Sequence, residues 1–513
     1  MHRFVVPCAL TLLAATAFAA PAKQAAKPAA EAPKEAGPDT SSWKEPVVTH
    51  HSVAAGGKTL NYTVTTGMMP LKSATGETEA NIFFMAYTLD GVANRAQRPL
   101  MFSFNGGPGS ASVWLHLGCV GPKRVKMRPD GTMPSPPYQL VDNPDTWLDQ
   151  TDLVFIDPVG TGFSRATKPE LGKKYWSVSG DVESVAEFIR MYLVRYQRWT
   201  SPLFLVGESY GTTRAAGLSE YLVDNGVALN GIVLVSSILN FETADFSRGN
   251  ELPYSLFLPT YTAIAWYHKR LPADLQSKPL REVLDQSEAW TETSYAQILA
   301  KGDQLKGDER AAAIDQLARF TGLSKEYLDL DNLRPNIEQF CKQLERDKRR
   351  TVGRLDGRFE GIDDTATGEF PDNDPSLSAI RPPYTATFNQ YIRSDLGWKT
   401  DAEYYILGGG IGRWDWGGGR EGYPDVSGAL RGAFSKNADM KLFIASGHYD
   451  LATPYHATQY TIDHLMLEPQ ERARVTMKQY EAGHMMYIDE VELGKLKKDV
   501  SEFISGALKP QPK

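Results

Sequence analysis

The sequence predicts an α/β fold: a mostly parallel central sheet flanked by helices, carrying an inserted, mostly helical cap. Three observations point to it. Apolar runs of strand length alternate with helix-compatible runs between residues 99 and 240, the pattern of a parallel sheet covered on both faces. One of these runs, Leu203-Phe204-Leu205-Val206, leads directly into Gly207-Glu208-Ser209-Tyr210-Gly211 and then into a helical stretch. From 241 to 400 the strand rhythm stops and helical periodicity with many charges takes over, before apolar strands resume at 441. The expected organisation is a first core segment over 45–240, the cap over 241–400 and a second core segment over 401–508.

Ahead of the core, Met1-His2-Arg3 precedes an apolar run from Phe4 that ends in Ala17-Phe18-Ala19, which reads as a signal peptide over 1–19. The run is shorter than the roughly 20 apolar residues that a spanning helix needs. Export is therefore expected, to the periplasm or the exterior, with no membrane anchor after signal removal. Residues 20–44 are rich in Ala, Pro and Lys, a disordered-linker composition. The composition, 42% hydrophobic and 23% charged, is that of a globular protein, and a net charge of −7 without a basic tract argues against nucleic acid as a partner. Beyond the signal peptide two cysteines remain, Cys119 and Cys341. They either pair or serve as small buried hydrophobes, Cys341 sharing an apolar helical face with Ile337, Phe340 and Leu344.

Amphipathic strands are expected at Leu60–Val64 and Asn81–Leu89, further strands at 99–104, 152–157 and 441–446, a buried one at 231–235 and a last one at 475–480. Val182–Tyr196 reads as a helix, and so does the run through Leu218 and Leu222 to Asn225-Gly226, where the glycine suits a left-handed end. Within the cap, Ala311–Phe320 and Pro335–Arg346 are helical, with Pro335 in a first turn. Asp363, Asp364, Asp372 and Asp374 lack the spacing of a calcium loop and read as solvated turns. Gly408-Gly409-Gly410 and Gly417-Gly418-Gly419 bracket Trp414 and Trp416; they open no helix, so a phosphate cradle is not expected, and the tryptophans line a pocket or pack in a loop cluster.

The chemistry centres on Ser209. A strand turning abruptly into a helix holds the middle residue of Gly-x-Ser-x-Gly in a strained conformation with its hydroxyl exposed, the nucleophile elbow of α/β-hydrolases. A hydroxyl of ordinary acidity needs a base and a group to orient that base. Asp450 and His484 each follow an apolar strand, at the sheet edge to which the elbow points, and the order Ser, Asp, His fits the fold. His448 is a rival base two residues before Asp450. Asn105-Gly106-Gly107-Pro108-Gly109, a tight turn after a strand, is where one oxyanion donor is expected.

Together, Asn105-Gly-Gly-Pro-Gly-Ser110, Asn143-Pro-Asp-Thr-Trp147, Asp157-Pro-Val-Gly-Thr-Gly-Phe-Ser164, Gly207-Glu-Ser-Tyr-Gly211, Asp450 and Gly483-His-Met485 resemble the serine carboxypeptidase family over residues 45–505. The resemblance implies Ser209 as nucleophile, His484 as base, Asp450 as its orienter, the amides of Gly107 and Tyr210 as the oxyanion hole, and Asn105 with Glu208 as the site for a substrate's terminal carboxylate. It also implies peptides with a free C-terminus as substrates, an acyl-enzyme route, and no metal or organic cofactor; a proton shared between Glu208 and that terminus would favour peptide hydrolysis at acidic pH. The chain departs from eukaryotic members in lacking their many disulfides and in carrying Ser110 where they commonly have Cys. Esterase or acyltransferase activity on the same scaffold is the nearest alternative; a non-catalytic peptide-binding protein is a more distant one.

Overall fold

The computed structural model describes residues 45–417 and 422–509; the expected signal peptide (1–19), the linker (20–44) and Gly418-Gly419 lie outside them. In spatial order the main sheet runs Val47–Ala55, Lys58–Lys72, Thr78–Leu89, Asp152–Ile156, Leu100–Phe104, Leu203–Ser209, Gly231–Ser237, Lys441–Gly447 and Val475–Tyr480, with the two-residue strand Arg165–Ala166 beside Thr78–Leu89. The first three are joined antiparallel; from Asp152–Ile156 onward every neighbouring pair is parallel.

Burial explains why the parallel strands read as unbroken apolar runs. Alternate side chains leave a strand on opposite faces, and here both faces are covered. Leu205, Leu234 and Ile444 pack under the helices Val178–Arg195, Tyr210–Asp224 and Ser427–Lys436. Their neighbours Val206, Val235 and Phe443 pack under Pro375–Ser394 and Glu490–Ala507. Gly226, at φ 81°, closes the Tyr210–Asp224 helix. The sheet with its two helical layers is an α/β-hydrolase architecture.

Between 241 and 400 lie helices such as Leu252–Tyr267, Leu280–Trp290 and Gly307–Thr321, and the strands Thr351–Val352 and Glu360–Gly361 pair only with each other. These helices pack around Tyr261, Leu317 and Phe340, a cluster joined by Tyr449, Leu451 and Tyr455 from the later segment. That core draws nothing from the Pro375–Ser394 helix, whose Tyr384 and Phe388 join the cluster under the sheet. Part of the expected 241–400 cap thus packs with the sheet. An amphipathic helix looks the same in sequence whether its stripe meets a cap or a sheet.

Three further expectations change. Pro335 precedes its helix: Asn336 caps Ile337–Gln343, its side chain accepting from the Gln339 amide at 3.0 Å while Gln339 reaches back to the Asn336 amide at 3.0 Å. Asp363 is not solvated but buried against the Lys342 ammonium. Asp374 caps the Pro375–Ser394 helix by accepting from Ser376 N at 2.9 Å, and it also receives the backbone amides of Arg354 and Leu355 at 3.1 and 3.3 Å. Asp374→Ala is expected to cost about 1–2 kcal/mol, the usual loss of an N-cap, measured as a shift in the denaturant midpoint; a midpoint equal to the parent's would refute it.

Cys119 and Cys341 are both buried and both free. Burial pushes each thiol above its ordinary value, so neither is a ready thiolate. Reducing agent is expected to leave Tm unchanged, and a drop of several degrees would instead reveal a bridge. No helix among the described residues is long and apolar enough to cross a membrane.

Candidate active site

Ser209 ends its strand and precedes the Tyr210–Asp224 helix at φ 59°, ψ −131°. A non-glycine residue there stores about 1–3 kcal/mol of strain, and the surrounding glycines show what holds it. A Cβ on Gly207 would lie 2.2 Å from the Gly211 carbonyl oxygen, and one on Gly106 would lie 2.4 Å from the Tyr210 nitrogen. Strand, helix and Gly-rich loop therefore meet without intervening side chains. The Tyr210 amide sits in the first turn of its helix, where no intrahelical acceptor exists. Gly107 lies in the loop packed against it, at φ 101°.

Beneath the elbow, Arg214 donates to Asp181 at 2.8 Å and to the Asn105 carbonyl at 2.6 Å, clamping the elbow helix to the loop. Both charges are buried. Asp157 performs a similar service for the next segment, accepting from the amide and hydroxyl of Ser112 at 2.9 and 2.8 Å. Asn143 donates to the carbonyls of Cys119 and Gly121, both at 2.8 Å, so the Asn143–Trp147 motif is a structural turn.

His484 presents Nδ1 to Asp450 at 2.8 Å, which leaves Nε2 as the nitrogen free for a reacting proton. Asp450 is fully buried and also accepts from the amides of Ala452 and Thr453 and from the Thr453 hydroxyl, at 2.8, 3.0 and 2.7 Å. Burial alone would raise its carboxyl, but His484 and these hydrogen bonds outweigh it and hold the group below the ordinary carboxylate value. His484 feels the converse: burial lowers it, Asp450 with its hydrogen bond raises it, and the net shift is upward. The backbone of His484 is held at both ends, its amide donating to Leu355 at 2.7 Å and its carbonyl accepting from Ser236 at 2.6 Å.

Glu208 is buried beside Ser209, one oxygen accepting from Asn105 Nδ2 at 2.9 Å and the other from the Tyr487 hydroxyl. Burial pushes its carboxyl up to about 7 against the opposing pull of His484, Tyr487 and Asn105. A cavity of about 260 Å³ is lined by Asn105, Gly107, Glu208, Ser209, Tyr210 and His484, with Trp114, Leu377, Ile380 and Leu407 as an apolar wall. Six of the seven expected site residues thus share one cavity, and Asp450 stands behind His484. His448 does not line it; it bonds Gln479 at 3.1 Å. Trp414 and Trp416 do not line it either. They pack edge-on against the Tyr210 ring at 5.3 and 5.8 Å, so they support a wall residue from behind.

Sequence reasoning missed Tyr487, Thr453 and the Arg214–Asp181 clamp. Arg214 left a trace, a charge set between small residues on the buried side of the elbow helix, little more than one turn beyond Ser209.

A family model described as serine carboxypeptidase matches residues 57–312, including the Gly-rich loop and the elbow. The chain belongs to the serine carboxypeptidase family. Among curated relatives of this family, serine carboxypeptidase-like 1 of Arabidopsis thaliana is 30% identical over 198 residues, 36% of this chain and 43% of the relative. Serine carboxypeptidase-like 2 of the same plant is 32% identical over the same shares. The chain spans less than half the length of these curated relatives. A prohormone-processing carboxypeptidase from Saccharomyces cerevisiae superposes with a TM-score of 0.51 at 17% identity, covering 86% of this chain and 91% of that one. Asp450 and His484 fall outside the stretch matched by the family model, so their placement here rests on the fold and on their mutual hydrogen bond.

Proposed function

We propose that this serine carboxypeptidase family member is an exported serine-type carboxypeptidase, releasing C-terminal residues from peptides through an acyl-enzyme without a metal or organic cofactor. The observation that carries the reading is Glu208: a carboxyl buried in the wall of the nucleophile's cavity, hydrogen-bonded by Asn105 and biased toward its protonated form. A hydrolase of simple esters has no use for such a group, whereas a protonated carboxyl beside an amide donor is suited to hold another carboxylate, one proton being shared between the two.

In the proposed reaction Ser209 Oγ bonds to the scissile carbonyl carbon while its proton passes to His484 Nε2. The oxyanion is held by the amides of Gly107 and Tyr210, and the imidazolium is held by Asp450. His484 returns the proton to the departing nitrogen as the C–N bond breaks. Water then repeats the sequence on the ester, giving its proton to His484 and freeing Ser209. The N-terminal run of residues 1–19 supports export to the periplasm or exterior.

Incubation of the mature chain with a mixed peptide pool, followed by mass spectrometry, tests this. Loss of single C-terminal residues is the expected result. Internal cleavage, or turnover of esters alone while a fluorophosphonate still labels Ser209, would overturn it in favour of an endopeptidase or an esterase. Failure to label at all would favour a non-catalytic peptide binder.

A further inference from the structure

The cavity wall contains a charged group that neither the proposed mechanism nor another side chain engages. Arg354 lines it, is exposed, and its guanidinium has no ion-pair or hydrogen-bond partner among the described residues. Its backbone is held at both ends: its amide donates to Asp374 at 3.1 Å and its carbonyl accepts from Leu451 N at 3.0 Å. The next residue, Leu355, supplies the carbonyl that holds the His484 amide. The cation therefore stands on a fixed base directly beside the catalytic histidine.

The other charges facing the cavity are already committed. Asp374 is engaged by the Ser376, Arg354 and Leu355 amides, Glu208 by Asn105 and Tyr487, and His484 by Asp450. Among the described residues, none pairs with the guanidinium of Arg354. The remaining lining by Trp114, Leu377, Ile380 and Leu407 is apolar and suits the methylenes of a side chain rather than its charged end.

We infer that Arg354 is a specificity residue that receives an acidic side chain on a residue flanking the scissile bond. The inference rests on the carboxypeptidase reading, in which Asn105 and Glu208 already take the terminal carboxylate. A guanidinium fork matches a carboxylate with two parallel hydrogen bonds. Substrates ending in, or carrying next to their end, Asp or Glu are thus preferred to their amide counterparts.

The test uses N-blocked dipeptides that differ only in Glu against Gln, at the terminal or the penultimate position, together with the same pairs linked by an ester in place of the scissile amide. In low salt the parent is expected to favour Glu over Gln by about tenfold in kcat/KM at one of the two positions, the discrimination that one charged hydrogen-bonded pair supplies. The ratio shrinks in 1 M NaCl, because an exposed pair is screened. Arg354→Met brings it to about one, and Arg354→Glu turns the preference at that position toward Lys. The last result is a gain that a misfolded variant does not produce. A parent ratio near one at both positions, or an Arg354→Met enzyme that slows Glu and Gln substrates alike, overturns the inference. If only the ester-linked pairs are cleaved, the carboxypeptidase reading falls, and the Glu/Gln ratio on the esters still decides the role of Arg354.

Discussion

Ser209→Ala and His484→Ala are each expected to lower kcat by about 10⁴- to 10⁶-fold, with the double variant hardly worse than either, because nucleophile and base act as one unit. The geometry gives the reason. Asp450 takes Nδ1 of His484 at 2.8 Å, so only Nε2 remains to move the Ser209 proton, and Ser209 without that base is an ordinary alcohol. Asp450→Asn should leave more activity than the other two, since the amides of Ala452 and Thr453 still fix residue 450 while the charge that steadies the imidazolium is gone. His448→Ala is expected to retain near-parental kcat, its partner being Gln479. A silent His448→Ala enzyme alongside an active His484→Ala enzyme would reverse the assignment of the base.

How far this site was legible in sequence depended on whether its parts are local. The elbow was legible because its cause is local: an apolar strand, two glycines that remove Cβ atoms from a 2.2 Å approach, and a helix. The central strands were legible because burial on both faces writes an apolar run. His484 and Asp450 were legible as strand-end residues in the right order. Tyr487 was not, because its hydroxyl meets Glu208 only after the chain has closed across 279 positions, and nothing near Tyr487 marks it as anything other than a core aromatic. The same holds for Arg354, which in sequence is one more charge in a charged cap. The Pro375–Ser394 helix makes a related point: periodicity reports that a helix has an apolar face, not which core receives it.

Peptide hydrolysis is expected to fall on the alkaline side by about tenfold per pH unit once Glu208 ionises, while hydrolysis of esters that lack a free carboxylate should hold level there. In the proposed mechanism the productive enzyme carries a proton on Glu208 and none on His484. His484 sits above its ordinary value of 6.5 because Asp450 outweighs burial, so the acid limb, shared by both substrate types, reports the imidazole. Glu208 sits near 7 because burial outweighs its hydrogen bonds, so the alkaline limb belongs to peptides alone. Its loss there appears in KM, since an ionised Glu208 repels the substrate's terminal carboxylate. Glu208→Gln keeps an amide donor without a titration; its peptide KM should vary little between about pH 5 and 8, and the alkaline limb should disappear. Stability should move with it. A carboxyl raised from 4.5 to about 7 by folding favours the folded state fully below about 4.5 and loses that contribution as pH rises toward 7, about 3 kcal/mol over the interval. The Gln variant should therefore show a flatter Tm between pH 4.5 and 8 than the parent. If peptide KM in the Gln variant follows the parent's curve, the carboxylate is read by some other group and Glu208 is only a wall of the cavity.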